Sequence, residues 1–163
     1  MNCYAFTTTS NQTKNKLQNV SKISADGVSM DARTLWDTGA TCSCISHEVA
    51  DSLDLVPTGV KRISTPSGTT DVCTFLVDIT LPNNVIISDL QVCESDIGVQ
   101  GLDFLAGMDI INKGDFSVSN YNGKTVFTFR IPSQKTTDYV HEENISRLVG
   151  PIHGKGKRKK KKR

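Results

Sequence analysis

The sequence predicts an all-β protein with one or two short helices, and three observations lead to this fold class. Apolar residues alternate with polar ones from Val72 to Leu81, which is typical of a half-buried strand. The pair Asn122-Gly123 separates two apolar segments, as in a tight hairpin. Within residues 21–132, only two short segments carry helix signals. At 163 residues, one domain can bury a core without metal or disulfide links.

The expected elements follow in chain order. Residues 1–20 are rich in Thr, Asn, Gln and Ser, and they are predicted to be a flexible segment before a domain of residues 21–132. Ser46 can cap a helix from His47 to Leu53, and Met108 to Lys113 can form another that Gly114 stops. The predicted strands lie at Val72–Leu81, Val85–Ile87, Leu90–Cys93, Phe116–Ser119 and Thr125–Ile131.

The charge is unevenly distributed along the chain. Eight of the 19 Lys and Arg side chains lie between Lys155 and Arg163, so 11 remain against 17 acidic side chains elsewhere. A segment of like charges with interspersed glycines does not pack, so residues 155–163 are predicted to be a disordered polybasic tail. Residues 133–154 are predicted to be a polar linker, with a short helix near Glu142 to Leu148. The tail could contact nucleic acid without sequence preference, although a solvated tail is the default interpretation.

The five cysteines include no C-x-x-C pair, which argues against a metal site, and no metal or cofactor is predicted. The N-terminal segment has no apolar signal core, and no apolar run is long enough to span a bilayer. We therefore expect a cytoplasmic protein without membrane contact, in which the cysteines are reduced small hydrophobic residues.

The most informative segment is Asp37-Thr38-Gly39-Ala40, which follows the apolar pair Leu35-Trp36. This pattern is typical of a carboxylate at the end of a buried strand, followed by a tight glycine turn. A carboxylate in a low-dielectric setting must be paired, hydrogen-bonded or protonated, and such a site is often used for acid–base chemistry. The alternative is a structural turn residue or a helix cap.

Two further segments strengthen the interpretation of Asp37. The apolar strand Leu105-Ala106-Gly107 ends in a glycine that opens a helix, and Asp109 in that helix is expected to be an exposed or capping acid. Between these segments, Thr65, Pro66, Ser67 and Gly68 lie between extended flanks. They can form the tip of a mobile hairpin, or an ordinary turn.

With these residues the chain resembles the retropepsin-like aspartic proteases, from about Arg33 to Ile131. Leu35 to Ala40 matches the catalytic loop and Leu105-Ala106-Gly107 matches the strand that supports it, while Thr65 to Gly68 is placed as the flap. The ending from Gly114 to Pro132 resembles small single-domain bacterial members more than viral ones. The resemblance implies a closed, single-lobed acid-protease barrel.

The resemblance also implies an aspartic endopeptidase that works as a homodimer on an extended peptide or protein substrate. Asp37 would pair with Asp37 of a second copy, Thr38 would brace the two loops, and Gly39 would let its backbone approach the dyad. A competing hypothesis is a catalytically silent β-barrel that binds protein or nucleic acid and is anchored by its basic tail. A third is a module that acts only inside a larger assembly.

Overall fold

The computed structural model of the protein describes residues 2–65 and 68–148. Its strands are β1 (Tyr4–Thr9), β2 (Leu17–Ala25), β3 (Val28–Trp36), β4 (Cys44–Ile45), β5 (Gly59–Thr65), β6 (Gly68–Thr80), β7 (Ile86–Glu94), β8 (Phe104–Ala106), β9 (Asp115–Ser119) and β10 (Val126–Ile131). Its α-helices are α1 (His47–Ser52), α2 (Met108–Ile111) and α3 (Tyr139–Leu148), and short 3-10 helices lie at Asp96–Gln100 and Tyr121–Gly123. The prediction of an all-β fold with short helices is confirmed.

The main sheet closes on itself. Its seven strands run in the order β2-β3-β8-β4-β7-β6-β5, and an additional pairing joins β2 to β6, with Ile23 opposite Ile79. This pairing makes a single-lobed barrel, as predicted. Strand β5 pairs with β6, and residues 68–73 of β6 pair with β5 before the pairing with β7 begins at Thr74. The β5–β6 hairpin therefore continues beyond the closed part of the barrel.

The N-terminal residues differ from the prediction of a flexible segment at 1–20. Strand β1 pairs with β10 along its whole length, with Phe6 opposite Phe129, and β10 pairs with β9 to complete a three-stranded sheet. Strand β2 already begins at Leu17, which lies opposite Trp36 of β3. Threonine favours strands, and β1 pairs with β10, which is far away in the sequence. The polar composition of β1 therefore did not prevent strand pairing.

An aromatic cluster connects the two sheets. The Trp36 ring is stacked on Phe116 with ring centroids 5.6 Å apart, and it lies 5.1 Å from Phe129 and 5.5 Å from Phe6. The indole Nε1 donates a hydrogen bond to Asn19 Oδ1 at 3.2 Å. Such aromatic contacts add to the burial of apolar area. The residue that precedes Asp37 is therefore anchored in the core.

The predicted local elements are largely present. The strand expected at Val72–Leu81 lies within or next to β6, and the two segments expected around Ile87 and Cys93 form the single strand β7. The Asn122-Gly123 hairpin connects β9 and β10, with both residues at positive φ. The glycine permits this backbone at little steric cost.

The helices are also close to their predicted positions. Ser46 caps α1 by accepting a hydrogen bond from the Val49 N–H at 3.3 Å. Helix α2 ends at Ile111 and not at Lys113. Gly114 is not a helix stop of the expected kind: a Cβ there would lie 1.9 Å from the Arg130 carbonyl oxygen, so the glycine permits close approach of β10.

Helix α3 lies where the short linker helix is predicted. None of the helices in the described part of the chain is long and apolar enough to cross a membrane. The predicted flap residues Pro66 and Ser67 and the polybasic tail at Lys155–Arg163 lie outside the described residues.

Candidate active site

Asp37 follows the last residue of β3, where that strand runs beside β8. The two strands are parallel, with Leu35 opposite Leu105 and Trp36 opposite Ala106. The Asp37 N–H continues the ladder by donating to the Ala106 carbonyl oxygen at 3.0 Å. The structure thus brings together two of the three predicted segments, the acidic loop and its supporting strand.

The loop after Asp37 is a tight turn around the carboxylate. The Gly39 N–H donates to Asp37 Oδ1 at 2.8 Å, and the Ala40 N–H approaches the Asp37 carbonyl oxygen at 3.3 Å. A Cβ at Gly39 would lie 3.1 Å from Asp37 Oδ1, so a larger residue would crowd this oxygen. Thr38 is exposed at the tip of the turn. Asp37 itself is half-buried, so its carboxylate is held in place and still reaches the surface.

Gly107 lies directly against the backbone of the same loop. A Cβ at this position would be 2.8 Å from the Cys42 carbonyl carbon and 2.9 Å from the Ala40 and Cys42 carbonyl oxygens. The following Met108 N–H donates to the Ala40 carbonyl oxygen at 2.8 Å. Because only a hydrogen atom fits here, the absence of a side chain at Gly107 allows β8 and the start of α2 to pack under the loop.

Ser43 and Asp109 are two further site residues, and sequence reasoning assigned neither to the site. The Asp109 carboxylate accepts hydrogen bonds from the Ser43 hydroxyl at 2.7 Å and the Ser43 N–H at 2.9 Å. The Ser43 hydroxyl also accepts one from the Gly107 N–H at 3.1 Å. Asp109 is therefore a link between α2 and the acidic loop, and more than an exposed cap. A charged residue within the apolar stretch 104–111 was the available signal, because a partly buried acid needs donors.

The environment of Asp37 differs from that of the aspartates that are paired with arginine. Three aspartates in the described part of the chain are paired with arginine: Asp71 with Arg62, Asp103 with Arg33, and Asp115 with Arg130. The Arg33 guanidinium, for example, holds the pKa of the Asp103 carboxyl below its ordinary value. Among the described residues, Asp37 has no such cationic partner, and its carboxylate accepts a hydrogen bond from the Gly39 backbone amide.

Strands β5 and β6, which include the segment predicted as a flap, form a hairpin in which Thr65 lies opposite Gly68. Its β6 strand lines a cleft of about 600 Å³ that also contacts His47 and the segment after β7. Asp37 is not among the described residues that line this cleft. The described lining of this cleft therefore joins the hairpin to His47 and not to the catalytic candidate.

His47 stands at one side of the hairpin cleft and connects α1 to the end of β7. Its Nδ1 lies 2.8 Å from Glu94 Oε1 and its Nε2 lies 2.7 Å from Asp96 Oδ1. The hydrogen bonds to Glu94 and then to Asp96 raise the pKa of His47 above its ordinary value. The His47 ring is about half exposed, and it bridges α1 and the end of β7.

Comparison with known proteins gives likenesses at the level of fold. No family model matches the chain, and no curated protein matches it. Among solved structures, it is similar to a retropepsin-like aspartic protease from Rickettsia conorii, at 12% identity over 80% of this chain and 97% of that one, with a TM-score of 0.48. It is also similar to the Simian foamy virus (mac) protease, at 17% identity over 59% of this chain and 92% of that one, with a TM-score of 0.44. A third similar structure is the EIAV protease complexed with the inhibitor HBY-793, at 19% identity over 61% of this chain and 91% of that one, with a TM-score of 0.47. The function of this chain is therefore inferred from the residues of its own site.

Proposed function

We propose that the chain is one subunit of an aspartic endopeptidase in which Asp37 activates the attacking water. The observation that carries this proposal is the setting of Asp37. It is half-buried, it is oriented by the Gly39 N–H, and it has no cationic partner among the described residues. Three other aspartates of the described residues are paired with arginine, whereas a carboxylate that must gain and lose a proton cannot be neutralised in that way.

A single carboxylate cannot serve as base toward water and as acid toward the substrate in the same step. The barrel supplies one Asp-Thr-Gly segment per chain. The proposed active site is therefore completed by Asp37 of a second copy in a homodimer. Two neighbouring carboxyl groups share one proton and titrate as a coupled pair, so the dyad provides a base and an acid together.

The proposed reaction follows from this division of roles. The ionised carboxylate takes a proton from water while the water oxygen bonds to the scissile carbonyl carbon, and the protonated carboxyl donates to the carbonyl oxygen. The tetrahedral intermediate then collapses: a proton passes to the amide nitrogen, the C–N bond breaks, and a carboxylic acid and an amine are released. In each subunit, the Gly39 N–H holds Asp37 Oδ1 in place during these steps.

The substrate proposed for this site is an extended peptide segment. The β5–β6 hairpin offers backbone groups that can pair with an extended chain, and side-chain recesses along it would give selectivity. In this proposal residues Thr65 to Gly68 close over the peptide and exclude water. In the proposed homodimer, the β5–β6 hairpins would lie over the dyad of the two Asp37 side chains.

The decisive test is Asp37→Asn, assayed with a peptide library from about pH 4 to pH 7. We expect at least about a 10²-fold loss of cleavage, because asparagine can neither accept nor supply the proton. Asp54→Asn is the matched control, since Asp54 is exposed and lies at a positive φ that asparagine also accepts. Cleavage that survives in the Asp37 variant would refute the aspartic mechanism.

The basic tail gives a second, separable proposal. Eight cationic side chains between Lys155 and Arg163 would contact the phosphates of nucleic acid, with an affinity that falls steeply as salt rises. Removal of residues 155–163 should abolish such binding and leave peptide cleavage unchanged. If the intact chain binds and never cleaves, the silent binding module replaces the peptidase as the better description. Cytoplasmic location remains a prediction from the sequence.

A further inference from the structure

Two thiols meet behind the acidic loop. Cys42 is half-buried in the loop, and Cys93 of β7 is 1% exposed. Their Sγ atoms are 3.6 Å apart, although the residues are 51 positions apart in the chain. Neither thiol is used by the mechanism proposed above.

The backbone, and not two mobile side chains, sets this contact. The Cys93 N–H donates to the Ser43 carbonyl oxygen at 3.0 Å, and Cys44 lies opposite Cys93 in the parallel pairing of β4 and β7. Ser43 is itself held by Asp109. Cys42 is therefore positioned at the end of a hydrogen-bonded ladder, with its side chain against Cys93.

We propose that Cys42 and Cys93 form a reversible disulfide that clamps the loop after Asp37 to β7. A disulfide needs the sulfurs about 2.05 Å apart, so the two atoms must approach by about 1.5 Å. Small rotations of two side chains supply such a movement when the backbones are already adjacent. This site does not depend on the peptidase activity.

The chemistry is a two-electron oxidation, with hydrogen peroxide as the oxidant. The Cys42 thiolate attacks one peroxide oxygen, which breaks the O–O bond and yields a sulfenic acid at Cys42 and one water. The sulfur of Cys93 then attacks the Cys42 sulfur and displaces hydroxide, which leaves as a second water with the Cys93 proton. Two thiols and one peroxide thus become one disulfide and two waters, and a dithiol reductant reverses the change.

Burial determines the order of these steps. Burial is the main cause that raises the pKa of Cys93 to about 11, and the contact with Cys42 raises it further. Burial also raises the pKa of Cys44 to about 12. Both groups therefore remain thiols near neutral pH and are poor first targets for an oxidant. Cys42 is more exposed than Cys93 and reacts first, and Cys93 resolves the sulfenic acid because it is already in contact.

The sharpest test compares two triple variants, each of which retains two thiols. Cys3→Ser with Cys44→Ser and Cys73→Ser leaves Cys42 and Cys93. The matched control, Cys3→Ser with Cys42→Ser and Cys73→Ser, leaves Cys44 and Cys93, which are the register partners of β4 and β7. Each reduced protein is treated with stoichiometric peroxide, and free thiols, intact mass and non-reducing gel mobility are followed.

We expect the first variant to lose both thiols and the mass of two hydrogen atoms per chain without forming a cross-linked dimer. The control should react on the order of ten-fold more slowly or not at all. The disulfide should also raise the melting temperature of the first variant by roughly 5–10 °C, because it closes a long loop in the unfolded chain. Retention of both thiols by the first variant, or equal rates in the two variants, would overturn the proposal.

The unsubstituted chain provides a test that does not depend on the folding of the variants. After oxidation, free thiols are blocked with a light alkylating reagent, the protein is reduced, and new thiols are labelled with a heavy one. Trypsin leaves Cys42 with Cys44 and Cys73 with Cys93, since no Lys or Arg separates either pair, so fragment spectra must assign the label. Heavy label on Cys42 and Cys93 supports the disulfide, and heavy label on any other pair contradicts it.

Discussion

Replacement of Ser43 by alanine tests whether the hydrogen bonds beneath the acidic loop hold it in place. Ser43 is fully buried, and its hydroxyl donates to Asp109 and accepts from the Gly107 N–H. The change removes a hydrogen bond to a charged group, which contributes about 1.5–3 kcal/mol, and leaves a buried N–H without an acceptor, at about 1–3 kcal/mol. The two effects overlap in one small network, so we expect the free energy of unfolding to fall by about 2–4 kcal/mol.

The assay is urea unfolding followed by far-ultraviolet circular dichroism. Ser29→Ala is the matched control, because Ser29 is exposed in β3 and should change the stability by less than about 0.5 kcal/mol. Combination of Ser43→Ala with Asp109→Ala should cost less than the sum of the single changes, since both remove the same bond. A loss in the Ser43 variant no larger than in the control, or strict additivity in the double variant, would refute the reasoning.

Three further predictions use the same measurement. Gly107→Ala should lower the free energy of unfolding by about 1–3 kcal/mol, because the added Cβ meets the backbone of the acidic loop. Gly59→Ala is the control and should be nearly neutral, since its Cβ meets a side-chain oxygen at 3.3 Å. Equal losses of stability in the two variants would contradict the packing argument. His47→Gln should lower the free energy of unfolding by about 1 kcal/mol or less near pH 5 and hardly at all near pH 9. The pKa of His47 is raised in the folded protein, so the charged ring stabilises the fold below the ordinary histidine pKa of 6.5, and this stabilisation is lost as pH rises through the raised pKa. His141→Gln, at an exposed position of α3, is the matched surface control. Asp115→Asn should destabilise the protein at neutral pH and progressively less as pH falls below the ordinary value of 3.8, since hydrogen bonds from Ser133, Gln134 and Arg130 lower the Asp115 pKa. Part of the difference should still be present at about pH 2, and a difference as large there as at neutral pH would contradict this.

Local patterns predicted much of the fold. The alternation in β6 and the Asn122-Gly123 turn depend on neighbouring residues, so they are visible in the sequence. Strand β1 was missed because it depends on a partner far away in the sequence: the Thr7 and Thr128 hydroxyls that meet across β1 and β10 are 121 positions apart. Phe6 is the one buried side chain of β1, so the sequence of this segment carries little of the apolar alternation that indicates a strand.

The same distinction applies to the site. Asp37 and Gly107 were predicted as site residues because each carries its own turn or strand signature. The Ser43–Asp109 network and the Cys42–Cys93 contact were not, because each joins residues far apart in sequence through the β3–β8 and β4–β7 pairings. Neither a serine nor a cysteine identifies such a partner by its type alone.

Hydrogen bonds within one chain hold the loop around Asp37, and they bear on the proposed dimer. Donation to Ala106, the Gly39 turn and the Ser43–Asp109 link need no second copy, so each subunit holds its half-site in place before it meets a partner. Dilution should then reduce cleavage per chain, because the dyad separates, while the near-ultraviolet signal of Trp36 stays constant. Loss of the tryptophan signal in parallel with activity would instead mean that dimerisation builds the loop, and cleavage per chain that is independent of concentration would show that one chain suffices.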